Sequence, residues 1–439
     1  MFSYYILSAI RNFRQDMVFF LLIVATIGLG IGATMTAATV IHVMSGDPIP
    51  EQSASLFVPH LDPLPLRYHQ YPGAPDPSDY LTWPDAMAIV RADVGLHQAA
   101  MAGGSTFMRP VGGQAGRPSS VNGRLTTFDF FEMFGVPFEH GSGWTAVDDE
   151  SRSRVIVLTT AMAVKLFGNT NCIGTSVRLA DDDFRIVGVV PNWHPSPLFY
   201  GDPAAKSFDA ADQFFIPLTT AIDTGITVNG NTTVWGDSSN MKAMLTSPTT
   251  TWLQVWVQLA NTQQQIAFKT FLTNYVAQQR DLGRYERPVS EVHVFRLMDY
   301  MRHLGLVPYD VLLQFWVSVG FLLICVTNII GLLLSKYMSR RGEVSIRRAM
   351  GASKVDIFFQ FGVESALIGV LGGVLGLFIA QFGLYLVRSR PDDYAHLAHM
   401  DTAMLALTFA LAITATFVAG MLPAWRACRI QPSLQMKSH

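Results

Sequence analysis

MVFFLLIVATIGLGIGATMTAATVIHVM, residues Met17 to Met44, contains no Lys, Arg, Asp or Glu. A helix rises about 1.5 Å per residue and the hydrocarbon core of a bilayer is about 30 Å thick, so about 20 apolar residues cross it. This run is long enough to cross and to project beyond. It is also much longer than the apolar part of a signal peptide, about 7–15 residues, so the small-residue stretch Ala33 to Ala38 is not read as a cleavage site. Three more runs follow. Val311 to Ser335 and Thr402 to Trp425 are uncharged, and Ile357 to Val387 contains only Glu364. The sequence therefore predicts a membrane protein with four transmembrane α-helices in a 1+3 arrangement, and a large α+β domain inserted between helices 1 and 2.

The composition agrees. Of 439 residues, 50% are hydrophobic and 15% charged, where soluble domains carry about a quarter charged residues. The apolar excess is gathered into the four runs, which excludes a wholly soluble enzyme. A net charge of −2 gives no basic field for nucleic acid, so no nucleic-acid partner is expected.

Orientation follows from the short flanks, because Lys and Arg accumulate on the cytoplasmic side. Arg11 and Arg14 precede helix 1. Lys336, Arg340, Arg341, Arg347, Arg348 and Lys354 lie between helices 2 and 3, and Arg426, Arg429 and Lys437 follow helix 4. Both termini are expected in the cytoplasm. The divisions are 1–44 (N-terminus and helix 1), 45–308 (exported domain in two lobes), 309–335 (helix 2), 336–356 (cytoplasmic loop), 357–387 (helix 3), 388–401 (short exported loop), 402–425 (helix 4) and 426–439 (tail). Cys172, Cys325 and Cys428 fall in three different compartments, so no intrachain disulfide is expected.

Within the exported segment, seven prolines between Asp47 and Pro77 predict an irregular covering stretch. Trp83-Pro84-Asp85 opens a helix. Phe128 to Phe134 reads as a second, capped by Thr126 or Thr127. Val155 to Leu158 reads as a strand, followed by a helix that ends at Gly168. Ser176–Leu179 and Phe184–Val190 form a hairpin about Asp181-Asp182-Asp183. Phe214 to Pro217 reads as an edge strand. Trp252–Leu259, a helix over 262–280 and Val292–Phe295 make a β-α-β unit.

Two stretches resemble a known family. Asn122-Gly123, Phe134-Gly135-Val136-Pro137, Gly141-Ser142-Gly143-Trp144, Leu166-Phe167-Gly168, Ile173-Gly174 and Val187 to Val190 resemble the periplasmic core domain of MacB-type ABC transporter permeases. Ser335 to Ala380, with Arg340-Arg341-Gly342-Glu343, Ile346 to Ala352 and a Gly-rich helix, resembles the FtsX-like permease domain. Pro423-Ala424-Trp425-Arg426-Ala427 matches that domain's closing signature.

The resemblance implies a permease subunit in a Gram-negative inner membrane. Two permeases, alike or different, would work with a cytoplasmic ABC ATPase, and a periplasmic adaptor and outer-membrane channel are compatible further partners. ATP hydrolysis would move the periplasmic domain and drive export or envelope transport of an amphipathic substrate. The chain has no Gly-x-x-x-x-Gly-Lys-Ser/Thr, so ATP and Mg are expected on a separate ATPase polypeptide, with no cofactor and no catalytic residue here. Lipoprotein release or control of a cell-wall hydrolase are rivals within the superfamily. A membrane-anchored receptor or scaffold without an ATPase is the rival outside it.

The residues suggest where such coupling would act. On a helix, Glu343, Ile346, Arg347 and Met350 share one face, flanked by Arg340, Arg341, Arg348 and Gly351. An amphipathic segment of this kind, between two spans, can dock on a cytoplasmic partner or rest among lipid headgroups. Gly28 and Gly32, and Gly369, Gly372, Gly373 and Gly376, have Gly-x-x-x-Gly spacing for close helix packing, within the chain or in a dimer. Glu364 is expected to pair with Arg347, Arg348 or Lys354. His396 and His399 beside Asp392, Asp393 and Asp401 read as solvated rather than metal-binding, and the acidic triplet at Asp181 reads as a polar turn rather than a cation site. Trp83, Trp144, Trp193, Trp235, Trp252 and Trp256 divide between core and a possible substrate groove.

Overall fold

The computed structural model describes residues 16–68, 79–92, 94–111, 118–201, 211–287, 292–339, 342, 346, 350–389 and 398–428. The chain forms two compact units, Gly46–Leu306 and the membrane unit on either side of it in sequence.

Among the described residues, the membrane unit contains four helices long and apolar enough to cross a bilayer. They are Met17–Ser45, Tyr309–Ser339, Lys354–Arg388 and Thr402–Cys428. The first extends one residue beyond its apolar run and the other three extend a few, because flanking polar residues continue the helix into the interface. Ser353 begins the third: its hydroxyl accepts the Asp356 backbone N–H, while the Asp356 carboxylate accepts the Ser353 N–H.

Among the described residues, the inserted domain is built on thirteen strands: β1 Leu56–His60, β2 Leu81–Thr82, β3 His97–Pro110, β4 Ser119–Thr126, β5 His140–Gly141, β6 Val155–Thr159, β7 Ser176–Leu179, β8 Asp182–Val190, β9 Phe214–Pro217, β10 Thr227–Asn229, β11 Thr233–Val234, β12 Thr250–Gln258 and β13 His293–Arg296. They join one sheet whose main order is β13-β1-β12-β3-β4-β9-β6-β8-β5. Most neighbours are antiparallel; β4 with β9 and β6 with β8 are parallel.

Successive side chains in a strand point to opposite faces. Phe57, Ala100, Ala102, Ile156, Leu158, Phe214, Ile216, Val255 and Val257 enter one apolar core. Their neighbours Leu56, Val58, Ala99, Met101, Val155, Val157, Phe215 and Trp256 enter another. The sheet is therefore covered on both faces, which explains why β12 is buried along nearly its whole length. Helix Thr262–Asp281 covers one face through Phe268, Leu272 and Val276, spaced one turn apart, and Asn261 caps it by accepting the Gln264 N–H at 2.9 Å.

The expected β-α-β unit is present as β12, this helix and β13, with β1 inserted between the two strands. β1 corrects the reading of 47–77 as irregular. Pro59 is tolerated because at that position β1 pairs only with β13. β9 is internal, between β4 and β6, rather than an edge; its Pro217 is the last residue, where a helix takes over. Thr126 and Thr127 do not cap the helix at Phe130–Met133. Their hydroxyls bond the Ala100 carbonyl and N–H of β3, both at 3.2 Å. The β7–β8 turn is Ala180-Asp181. Asp182 and Asp183 lie in β8, where their carboxylates meet Arg154 and Arg178.

Most of the tryptophans are structural. Trp144, Trp252 and Trp256 are buried, Trp83 stacks on Trp252, and Trp193 stacks on Tyr200. Trp235 is half-buried.

Arg124 of β4 makes two hydrogen bonds to Asp212, at 3.1 and 3.3 Å, and its guanidinium lies over the Tyr200 ring. Both side chains are buried. Removing one member of a buried pair leaves an uncompensated charge and costs about 3–5 kcal/mol, whereas replacing both with apolar residues is often near neutral. Asp212→Ala should therefore lower the melting temperature of the inserted domain much more than Arg124→Met with Asp212→Leu. Melting followed by circular dichroism checks this; equal losses would contradict it.

Candidate functional site

The loop between the second and third membrane helices is the region to which the charge pattern points. Ile346 and Met350 are one helical turn apart, with the Met350 N–H donating to the Ile346 carbonyl at 3.0 Å. Both stand in the open, 62% and 76% exposed. Gly351 follows at φ +104°, a backbone region that favours glycine, and ends this turn just before Ser353 starts the third membrane helix. Arg340, Arg341, Glu343, Arg347 and Arg348 lie outside the described residues.

The two helices that carry this loop are tied together at its base. Lys336 of the second forms an ion pair with Glu364 of the third, and each side chain is only 1% exposed. Lys336 is thus a partner of Glu364 within the membrane unit; Arg347, Arg348 and the side chain of Lys354, the partners expected from the sequence, lie outside the described residues. The ring of Tyr337 stacks on Phe361 at 4.1 Å, and its hydroxyl is 3.2 Å from Ser365 Oγ. The fourth helix closes over this point. A methyl on Gly420 would overlap the Ser365 hydroxyl.

The predicted glycines form two seams. A methyl on Gly28 would lie 2.8 Å from Leu375, and one on Gly32 would lie 2.5 Å from Ile379. From the other side, a methyl on Gly372 would collide with Ile27, and one on Gly376 would lie 3.0 Å from Ile31. The first and third helices thus interdigitate, glycine against branched side chain. Gly369 and Gly373 face the fourth helix instead, against Thr416 and Phe409. All six glycines lie at contacts inside this chain.

At the far end of the unit, His42 Nε2 lies 3.2 Å from Asp401, whose other oxygen accepts the Met404 N–H at the start of the fourth helix. His399 is exposed, and Asp392, Asp393 and His396 lie outside the described residues.

A profile of the MacB-like periplasmic core domain matches residues 20–274, and one of the FtsX-like permease C-terminal domain matches 315–432. The chain belongs to the MacB/FtsX family of ABC transporter permeases. Among curated relatives of this permease, the macrolide export ATP-binding/permease protein MacB of Bdellovibrio bacteriovorus is 24% identical over 66% of the chain and 40% of its own length. The protein of the same name from Salmonella typhi is 24% identical over 71% and 43%. The permease spans about two-fifths of these relatives. The uncharacterized ABC transporter permease YvrN of Bacillus subtilis is 22% identical over 69% of this chain and 67% of its own. The periplasmic region of MacB from Actinobacillus actinomycetemcomitans superposes with a TM-score of 0.38 at 12% identity, covering 60% of this chain and 99% of that one.

Sequence reasoning singled out Glu364 but not its partner Lys336, although a signal existed. Two antiparallel helices bring together residues equally far from their connection, and Lys336 and Glu364 are equally far from Met350 along the chain.

The seam carries a direct test. Overpacking a tight contact costs about 1–3 kcal/mol. Gly372→Val should lower the melting temperature of the detergent-solubilised permease. Gly320→Ala, where a methyl meets nothing within 4 Å, should leave it unchanged or slightly higher. Equal effects would show that the first and third helices are not held by this seam.

Proposed function

We propose that this permease transmits work. A separate cytoplasmic ABC ATPase would bind the loop between the second and third membrane helices, and its cycle would shift those helices and move the periplasmic domain. The observation that carries this reading is the pairing of two facts: apolar Ile346 and Met350 project from a short helical turn, and the helices on either side are locked by a buried ion pair.

An exposed apolar pair on a charged loop suits docking into a cleft on another protein. The lock beneath it supports transmission, because a push on the loop would displace the second and third helices together rather than bend one of them. The glycine seams extend that stiffness to the first and fourth helices. ATP and Mg would be held by the ATPase, with no catalytic role for this chain.

The periplasmic domain, two-faced and closely packed, suits a part that moves as a body. The macrolide export relatives favour an amphipathic substrate, with export or transport through the envelope as the task. A second permease, identical or related, would complete the transporter. Since the six predicted glycines are engaged within the chain, it would be met through other faces, such as the exposed Trp316, Leu323 and Ile324 of the second helix. A periplasmic adaptor and an outer-membrane channel fit the same scheme. The cationic flanks favour an inner-membrane location with both termini in the cytoplasm.

The test is affinity purification of the permease in mild detergent from its native host, followed by mass identification and an ATP-turnover assay. An ABC ATPase should be retained near one-to-one with the permease. Ile346→Asp with Met350→Asp should remove it and abolish turnover without changing the melting temperature, since both side chains are exposed. Retention of the ATPase by that variant would overturn the assignment of the docking face, and absence of any ATPase from the wild-type sample would overturn the transporter reading.

A further inference from the structure

We propose that the periplasmic domain holds a divalent transition-metal ion, of the Zn²⁺ class, between His60, Asp79 and His303. His60 ends β1, Asp79 immediately precedes Tyr80 and β2, and His303 ends the helix Leu297–His303. Asp79 Oδ1 is 3.3 Å from His60 Nδ1 and 3.4 Å from His303 Nε2, and the three donor atoms all lie within 4.8 Å of one another.

These separations are those of a coordination shell. Nitrogen and oxygen ligands about 2.0–2.2 Å from a tetrahedral Zn²⁺ stand about 3.3–3.5 Å apart. Two edges of the triangle already have that length. The third, between the two imidazole nitrogens, is no longer than 4.8 Å.

A histidine–carboxylate contact without metal is the competing explanation, and the carboxylate argues against it. Asp79 is only 6% exposed, yet among the described residues its Oδ1 accepts no hydrogen bond. The two imidazole nitrogens approach it without the alignment of a donor. A buried carboxylate oxygen in that position is costly unless something positive completes it. Two imidazoles and one carboxylate select a transition ion over Ca²⁺ or Mg²⁺, which take oxygen ligands. Three protein ligands leave a fourth position for water on the open side of His303.

The surroundings support a built site. Phe295 stacks on the His303 ring at 4.8 Å and meets the His60 ring edge-on at 5.6 Å, so both imidazoles are held in place. The second cluster of similar composition, His97 with Asp129 and Glu132, differs in kind. It offers a single imidazole, whose Nδ1 is hydrogen-bonded to Asp129 at 3.1 Å, and Asp129 also accepts the Gln98 N–H. Bound at the first site, an ion would join the end of β1, the segment leading into β2 and the helix Leu297–His303.

The experiment uses the full chain in detergent, purified with a tag free of histidine and stripped with EDTA. Zn²⁺ is titrated calorimetrically, and Co²⁺ is added separately as an optical probe. One Zn²⁺ should bind per chain in the micromolar range or tighter, and Co²⁺ should give the strong visible absorption of a tetrahedral site. His303→Gln should weaken Zn²⁺ at least about tenfold while leaving the EDTA-state melting temperature unchanged. Asp79→Asn should weaken binding likewise and serves as the second variant. Absence of stoichiometric binding, or binding unaffected by both substitutions, overturns the proposal.

Discussion

Two opposite charges buried in an apolar bundle constrain everything around them. An ammonium and a carboxylate at membrane depth are costly alone and tolerable only together. Lys336 and Glu364 therefore fix the register of the second membrane helix against the third, and no slide by a turn is possible without separating them. The stacked Tyr337 and Phe361, and Ser365 beneath Gly420, widen the fixed point from two helices to three.

The remaining membrane contacts use shape rather than charge. Lipid supplies no hydrophobic force between helices, so they associate by close approach. Gly28 and Gly32 receive Leu375 and Ile379, while Gly372 and Gly376 receive Ile27 and Ile31. The inserted domain, by contrast, is held by water. Its sheet buries both faces, and alternate residues of the same strand supply two separate cores. One chain thus uses two solvents and two packing rules. The membrane unit gains definition from missing side chains and the domain from large ones.

Much of the architecture was legible in the sequence, for identifiable reasons. Spans announce themselves by the absence of charge, and the first begins at the residue where the uncharged run begins. The β7–β8 hairpin and the β12–helix–β13 unit follow simple periodicities. β3 did not. His97 to Pro110 reads HQAAMAGGSTFMRP, poor in strand-forming residues, and forms a strand because its small side chains fit between two crowded faces. Glu364 stood out as a charge in an apolar run, but Lys336 did not, because it lies 28 residues away along the chain and meets Glu364 only where the two helices pack. The glycine spacing revealed close packing but not its partner, since a Gly-x-x-x-Gly face is the same whether it meets its own chain or another. His60, Asp79 and His303 are far apart in sequence and converge only through the sheet.

In the proposed mechanism the loop acts through stems locked by a buried pair. Charge exchange tests it most directly, with ATP turnover measured in the purified complex of permease and ATPase. Glu364→Lys should abolish permease-dependent turnover, and adding Lys336→Glu should restore much of it, because the pair is re-formed with its charges reversed. Full turnover in Glu364→Lys alone would show that the stems need no lock, and would contradict the account.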